Sequence, residues 1–272
     1  MFYVEQPERM AKIIAFCNQK GGVGKTTTAV NIGAYWAIAG KRTLLFDLDP
    51  QGNASISCGM TKGAGSRALY EAMISGGAIE GGIINSAVDR LELIPSTPEL
   101  ALIDIELSQA KSREGIIKKL CEPIRSRYDA ILFDCPPSLG LLTVNALVAA
   151  DCVIIPVQCE YLSLEGLNAL LQSIERIKTP FNPSLTIGAI ILTMVDFRAN
   201  LTKEVIEEVR RFFKDLVCEH TVPRNIRLAE SPSFGKPICA YDPHSTGALA
   251  YEAIANELSV KMLEKDMVGQ PT

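Results

Sequence analysis

The sequence lacks a net positive charge. Its 272 residues carry 27 Lys and Arg against 31 Asp and Glu, which gives a formal charge of −4. Proteins that attract nucleic acid through their overall charge are basic, so any contact with DNA must come from a local patch. The hydrophobic fraction of 47% and the charged fraction of 21% are ordinary for a globular protein with a sizeable core.

The cysteines lack the spacing of a metal or redox motif. None of the eight forms a C-x-x-C pair. Several lie inside apolar runs, as Cys152 does. We therefore expect free, buried thiols that remain reduced in the cytoplasm.

A secretory leader and a membrane span are also missing. Residues 1–10 include Glu5 and Glu8 and have no apolar core, and no run approaches the roughly 20 apolar residues of a spanning helix. We predict a flexible extension over residues 1–10, a single domain over residues 11–264 and a loose polar tail over residues 265–272. The expected location is cytoplasmic.

The strongest motif in the sequence is the glycine-rich stretch Lys20–Thr27. It follows an apolar run that predicts a strand, Ile13–Phe16, and it precedes a predicted helix, Thr27–Ala39. The backbone N–H groups of such a loop and the N-terminus of the next helix both favour an anion. Lys25 would reach the outer phosphates of a nucleotide, and the hydroxyl of Thr26 would hold Mg²⁺.

The loop departs from its usual form at one position. Gln19 stands where the common pattern has a glycine, five residues before Gly24, and an extra lysine, Lys20, follows it. A lysine there could be an ordinary solvated charge, fold back to its own phosphates, or reach the nucleotide of a partner subunit. In the last case it would supply positive charge as an arginine finger does.

Short apolar runs alternate with helical patterns along the chain, which is typical of a parallel sheet covered on both faces. We predict an α/β fold, a three-layer sandwich with a mostly parallel central sheet, resembling the P-loop NTPases. The predicted strands are Ile13–Phe16, Thr43–Asp47, Leu91–Pro95, Ala130–Phe133, Val153–Val157 and Thr186–Leu192, with Leu216–Val222 as a candidate seventh. The further predicted helices are Arg67–Ile74, Pro98–Leu107, Ser112–Cys121, Leu139–Ala149, Leu162–Ile177, Leu201–Lys214 and Thr246–Leu263.

Three carboxylates come at the ends of predicted strands. Asp47 and Asp49 point to the same side of an extended chain, and Asp134 follows the strand Ala130–Phe133. Ligands bind at this edge of an open α/β sheet, so we expect all three acids beside the phosphate loop. Asp134 would support the metal ion. Without the loop, the same residues would be ordinary turn chemistry.

Taken together, the motifs resemble the ParA branch of the ParA/MinD class of dimerising ATPases, and within it the short chromosomal Soj group. The similarity extends from about Ala11 to about Leu263. Besides the loop, it rests on Asn18-Gln19, Asp47–Asn53, Asp134–Ser138, Pro156–Glu160, Pro223–Arg227 and Gly235–Pro237.

This resemblance implies a role for each residue of the site. Lys20 would contact the partner's nucleotide, and Gly21 would leave clearance where two subunits approach. The implied catalytic residues are Lys20, Lys25 and Asp49, and of these Asp49 would position the attacking water. The implied magnesium residues are Thr26, Asp47 and Asp134. The implied ATP-binding residues are Lys20, Gly21, Gly22, Val23, Gly24, Lys25, Thr26, Thr27, Pro223 and Asn225.

The resemblance also implies partners. ATP binding would drive a sandwich homodimer that binds double-stranded DNA nonspecifically on the nucleoid, and a ParB-like protein would stimulate slow hydrolysis and release it. Arg198 and Arg227 match basic positions that contact DNA in this family. A dimer doubles such contacts, so affinity and salt dependence both rise.

Two other classes use the same loop. A MinD-like, membrane-associated regulator of cell division needs a C-terminal amphipathic helix with a basic face. Here Tyr251, Ile254 and Leu258 are spaced for packing on a sheet, so we expect no stable membrane association. A small-molecule transferase or iron–sulfur relative is the other class. The cluster proteins among these relatives need cysteines at a dimer axis, and Cys135 and Cys159 do not match that spacing.

Overall fold

A computed structural model describes residues 10–61, 67–160 and 163–264. Its centre is a seven-stranded sheet. The strands are β1 (Lys12–Phe16), β2 (Thr43–Asp47), β3 (Ile84–Asn85), β4 (Leu91–Ile94), β5 (Ala130–Asp134), β6 (Cys152–Gln158) and β7 (Thr186–Thr193), in the spatial order β3-β4-β2-β5-β1-β6-β7. Among the described strands, β3 pairs antiparallel with β4 and the other pairs are parallel.

Helices cover both faces of the sheet, which confirms the predicted three-layer α/β fold. They are α1 (Lys25–Ile38), α2 (Asn53–Ser57), α3 (Ala68–Ser75), α4 (Ile103–Glu106), α5 (Ile116–Cys121), α6 (Leu141–Ala149), α7 (Ser163–Phe181), α8 (Asn200–Phe213), α9 (Ile226–Glu230), α10 (Ile238–Tyr241) and α11 (Thr246–Ser259). The core between α1, α10, α11 and the sheet is separate from the core formed with α3 to α8.

The central strands are continuously apolar because their side chains pack into a core on each face of the sheet. In β1, Ile13 and Ala15 join the core on the α3–α8 side, whereas Ile14 and Phe16 join the core on the α1–α11 side. A strand that is covered on both faces has no solvent side and therefore shows no polar alternation.

The candidate seventh strand Leu216–Val222 is wrong. In the structure this segment makes one isolated bridge, from Val217 to Ile190, and Pro223 just beyond it makes another to Val195, so no ladder forms. The backbone N–H of Glu219 donates to the carboxylate of Glu257, so it is diverted from the sheet.

The predicted end of one helix is also wrong. The pattern places it before Pro180, but α7 continues to Phe181 with Pro180 in its last turn. A proline at that point costs one intrahelical hydrogen bond and does not prevent the turn from closing. The segment Pro98–Leu107 is predicted as one helix. In the structure it is a 3₁₀ turn, Pro98–Leu102, followed by the single turn of α4.

The eight cysteines are free, and all but Cys239, which is half-buried, are buried. This confirms the expectation of unpaired thiols in the core. Within the described residues, no helix is long and apolar enough to cross a bilayer. The predicted N-terminal extension, apart from Met10, and the predicted tail lie outside those residues.

Replacing Trp36 by Phe should destabilise the α1–α11 layer. Trp36 is fully buried, and its indole N–H donates to the carbonyl of Ala255 at 2.8 Å. Loss of this bond and of part of the ring volume should cost about 2 kcal/mol, measured by urea unfolding followed by circular dichroism. Ile38→Ala, on the exposed end of the same helix, is the control and should stay within about 0.5 kcal/mol. Equal losses in both variants would contradict this account of the layer.

Candidate functional site

The glycine-rich loop connects β1 to α1 and leaves the helix N-terminus free for a ligand. Gly22 and Gly24 have φ values of 74° and 89°, which side chains other than glycine rarely adopt. Gly24 is the N-cap of α1 and provides no side-chain cap. The hydroxyl of Thr193 holds the loop from behind by donating to the carbonyl of Val23 at 2.8 Å. The first N–H groups of α1 therefore remain available to an anion.

A cleft of about 500 Å³ opens at this helix terminus. It lies at the carboxyl edge of the sheet, where the topology places ligand sites in folds of this class. The lining residues from the loop and α1 are Gly21, Gly22, Gly24, Lys25, Thr26 and Thr27. The other lining residues are Asp49, Gln51, Asn53, Ile56, Ser57, Pro137, Met194, Leu228, Ala229 and Pro232.

Two buried carboxylates lie side by side beneath the cleft. Asp47 and Asp134 are partners in the register of β2 and β5, and both are 0% exposed. Burial raises the pKa of Asp47 to about 6, and hydrogen bonds from Ser55 oppose the rise. Burial, followed by the nearby charge of Asp47, raises the pKa of Asp134 well above its ordinary value. Burial and mutual repulsion both disfavour the ionised forms of these carboxylates, so the pair destabilises the folded chain.

The two acids differ in how their oxygens are satisfied. One oxygen of Asp47 accepts from both the N–H and the hydroxyl of Ser55 at 2.7 Å. Neither oxygen of Asp134 has a hydrogen-bond donor at bonding geometry within the described chain. The hydroxyl of Thr26 lies near enough to lower the pKa of Asp134, but it does not complete the bond. A buried, unpartnered carboxylate beside a threonine hydroxyl is an oxygen donor set that suits Mg²⁺.

A closed ring of hydrogen bonds supports Asp47 and Asp49. The N–H of Asp49 donates to Asp47 at 3.3 Å, and the hydroxyl of Ser96 donates to the carbonyl of Asp49 at 2.5 Å. Ser96 in turn donates its N–H to the hydroxyl of Ser55 at 3.1 Å. Sequence reasoning missed both serines, because nothing in the pattern shows that two residues 41 positions apart meet.

The two loop lysines occupy different places. The side chain of Lys25 is buried and lies over the loop, with its Nζ 3.4 Å from the carbonyl of Lys20. The side chain of Lys20 is 51% exposed and pairs with Glu160 at 2.5 Å. Of the two, Lys25 lines the cleft and Lys20 does not. Sequence reasoning included Glu160 in a motif but gave it no role.

Asn225, one of the residues that the resemblance implies for ATP binding, acts indirectly in this structure. Asn225 caps α9 by accepting from the N–H of Leu228, and its amide donates to the hydroxyl of Thr246 at 2.8 Å. Leu228 and its neighbour Ala229 line the cleft, whereas Pro223 and Asn225 do not. The cap formed by Asn225 therefore positions α9, whose residues Leu228 and Ala229 form one wall of the cleft.

Known proteins match both the sequence and this architecture. A family profile described as an AAA domain matches residues 11–187. Sporulation initiation inhibitor protein Soj of Bacillus subtilis is 49% identical over 250 residues, which covers 92% of this chain and 99% of Soj. Chromosome partitioning protein ParA of Myxococcus xanthus is 48% identical over 249 residues, covering 92% of this chain and 88% of ParA. The chain belongs to the Soj/ParA family of chromosome-partitioning ATPases.

Solved structures agree with the Soj/ParA fold. Cobyrinic acid a,c-diamide synthase from Mycobacterium smegmatis, crystallised with an ATP analogue and magnesium, superposes with a TM-score of 0.81 at 31% identity, covering 96% of this chain and 97% of the synthase. A plasmid partition protein from Borrelia burgdorferi superposes with a TM-score of 0.75 at 25% identity, covering 93% and 100%.

The two arginines that the Soj/ParA resemblance singles out are both engaged in ion pairs. Arg198 is 89% exposed and pairs with Asp196 at 2.7 Å. Arg227 is 54% exposed and pairs with Glu230 at 3.0 Å and with Asp242 at 3.3 Å. Exposed ion pairs of this kind contribute little stability. A highly charged anionic ligand can therefore displace the acidic partners from these two arginines.

Asp134→Asn should stabilise the metal-free protein by about 1–3 kcal/mol, because it removes a buried charge without a donor. Burial raises the pKa of Asp134 in the folded state, so the wild type is penalised above the unfolded value near pH ~4. The gain should therefore be present at pH 7 and vanish below about pH 4, as measured by denaturant unfolding.

The control for this variant is Asp89→Asn, which removes a carboxylate that is 98% exposed and should change little. A loss of stability on Asp134→Asn at pH 7 would show that the carboxylate has a donor after all.

Proposed function

We propose that this chain is a DNA-partitioning ATPase of the Soj kind, in which Mg²⁺-ATP drives dimerisation and the dimer binds DNA nonspecifically. A ParB-like partner stimulates slow hydrolysis, which releases the dimer from the nucleoid. The single observation that carries this proposal is the environment of Gly21 and Lys20: a Cβ on Gly21 would meet no atom within 4 Å, and the side chain of Lys20 does not line its own cleft. The chemistry of the cleft supports the nucleotide half of the proposal.

The cleft brings together positive groups that suit phosphates and acidic groups that suit a metal ion, and this combination favours a nucleotide bound with a metal ion. The N-terminus of α1 and the ammonium group of Lys25 suit the phosphates. Thr26 and Asp134 would hold Mg²⁺, with Asp47 behind them, and the ion would neutralise phosphate charge when bound. The unpartnered state of Asp134 supports this assignment, since a divalent cation would compensate its buried charge.

Asp49 is the residue we assign to the attacking water. It lines the cleft, and its backbone is held on both sides by the hydrogen bonds to Asp47 and from Ser96. Its own carboxylate accepts from the N–H of Gln51 at 3.0 Å. A carboxylate that is held in this way can orient a water molecule and accept its proton.

The open space around Gly21 is the first argument for the proposed dimer. A Cβ built on Gly21 would have no atom within 4 Å, and its φ is not in the left-handed region. Gly22 and Gly24 are required by their backbone conformation, but nothing within the described chain requires a glycine at position 21. The requirement would then come from outside the chain, from the close approach of a second copy.

Lys20 supports the same conclusion. Its side chain lies outside its own cleft and is held by Glu160, next to the exposed Gly21. An ion pair that is half exposed on both sides is weak, so it opens at little cost. Once it opens, Lys20 is free to contact the phosphates of the partner's nucleotide.

Gly21→Val should abolish the ATP-dependent dimer and leave nucleotide binding by the monomer intact. A Cβ at this position meets no atom of its own chain within 4 Å, whereas a valine there would obstruct an approaching copy. The measurement is size-exclusion chromatography with light scattering, with ATP and with ADP, together with binding of a fluorescent ATP analogue. Gly81→Val is the control, since it also enters open space but lies elsewhere. A Gly21→Val protein that still dimerises with ATP would contradict the proposed interface.

DNA retention should depend on ATP and on the two arginines. We expect retention with ATP but not with ADP, and a steep fall as salt is raised. Arg198→Gln with Arg227→Gln should weaken binding at least tenfold and reduce the salt slope, while ATP-dependent dimerisation continues. The readout is retention on an unrelated duplex immobilised on a sensor surface.

The control for the DNA experiment is Arg42→Gln. Arg42 is 55% exposed and ion-paired like Arg227, but it precedes β2 at the opposite edge of the sheet. Equal retention of the wild type in ATP, ADP and no nucleotide would refute the proposed switch. Unchanged retention of the doubly substituted protein would show that DNA binds to a surface without Arg198 and Arg227.

A further inference from the structure

The segment from Ser96 to Asp104 contacts two parts of the site: Ser96 donates to the carbonyl of Asp49, and Asp104 accepts from the N–H of Leu141. We propose that Asp104, in α4, is a positioning residue for ATP hydrolysis, because it holds the segment that follows Asp134 at a fixed place relative to Asp49. The proposal rests on the proposed function and concerns how the same site is kept in its hydrolytic geometry.

Asp104 caps the helix that follows the switch segment, which we define as Cys135–Gly140. One oxygen of Asp104 accepts from the N–H of Leu141, the first residue of α6, at 2.7 Å. The N-cap of α6 is Gly140, which has no side chain to provide a cap of its own. The cap therefore comes from a residue 37 positions away, and its negative charge also suits the N-terminus of a helix.

The contact is closely packed as well as hydrogen-bonded. A Cβ built on Gly140 would lie 2.7 Å from the second oxygen of Asp104. The φ of Gly140 is −72°, a value open to any residue, so its backbone does not explain the glycine. The space is occupied by the carboxylate, which rests directly on the end of the switch segment.

The other end of the connecting segment holds Asp49. Ser96 donates its hydroxyl to the carbonyl of Asp49 at 2.5 Å and its N–H to the hydroxyl of Ser55 at 3.1 Å. Between Ser96 and Asp104, the chain forms the 3₁₀ turn Pro98–Leu102 and enters α4. Leu100 and Ile103 are buried in the core, which anchors the segment.

The switch segment forms part of the cleft. It begins at Cys135, whose N–H donates to the carbonyl of Phe16 at 3.3 Å, and Pro137 lines the cleft across from the phosphate loop. With Cys135 fixed by the sheet and Leu141 fixed by Asp104, Pro137 is held from both ends. The hydroxyl of Thr143 also holds this end by donating to the carbonyl of Ser138 at 2.6 Å, so loss of the cap weakens the anchoring without removing it. The cleft wall at Pro137 would then loosen relative to Asp49.

This geometry predicts a selective defect. Asp104→Ala should lower the rate of single-turnover ATP hydrolysis about three- to tenfold, the range expected from the loss of one helix cap. The affinity for ADP should stay within about twofold, because the phosphates that ADP retains are assigned to the loop and α1, and Asp104 does not line the cleft. Asp104→Asn keeps an acceptor oxygen for Leu141 and should restore most of the rate, since Asn and Asp cap about equally well.

Glu106→Ala is the matched control. Glu106 is an exposed carboxylate on the same helix, and it accepts from the hydroxyl of Tyr70 at 2.7 Å, so this variant also removes one side-chain hydrogen bond. It should hydrolyse ATP at the wild-type rate. Melting temperatures of all variants, with and without nucleotide, separate a local defect from a general loss of stability.

The outcomes are distinguishable. A wild-type protein without Mg²⁺-dependent ATP hydrolysis overturns the proposed function and the role of Asp104 with it. Hydrolysis by the wild type with an unchanged rate in Asp104→Ala overturns the positioning role alone. Equal losses of ATP and ADP affinity in Asp104→Ala, or no recovery in Asp104→Asn, also overturn it, since either result indicates a structural effect.

Discussion

The site depends on one electrostatic constraint, the burial of Asp47 and Asp134 side by side at the ends of adjacent strands. Parallel pairing of β2 with β5 brings the two carboxylates into register, and the helical layers exclude water from both. Such a pair is costly without compensation. Among the described residues, Ser55 donates to Asp47 and no donor bonds to Asp134, so the fold carries a position that favours a cation.

The surrounding structure keeps this pair in a fixed relation to the phosphate loop. The loop is shaped by two left-handed glycines and held from behind by Thr193. Asp49 is held by a ring of hydrogen bonds that reaches from β2 through Ser55 to Ser96. The site is thus built from contacts at the sheet edge, and the switch segment ends where Asp104 accepts from the N–H of Leu141.

Two residues of the loop face away from this inner network. Gly21 has open space beside it, and Lys20 lies on the surface with Glu160. The outward position of these two residues supports the proposal that a second copy completes the site.

The sequence by itself determined the fold class, the phosphate loop and the three acids, because each is a local pattern: continuous apolar strands, a glycine motif and carboxylates at strand ends. Only the tertiary structure decided which acid is compensated, where Lys20 lies, and which segments Ser55, Ser96 and Asp104 bond to. It also rejected the strand at Leu216–Val222, where the carboxylate of Glu257 captures a backbone N–H. These outcomes depend on contacts between residues far apart in the chain, and local periodicity carries no information about such contacts.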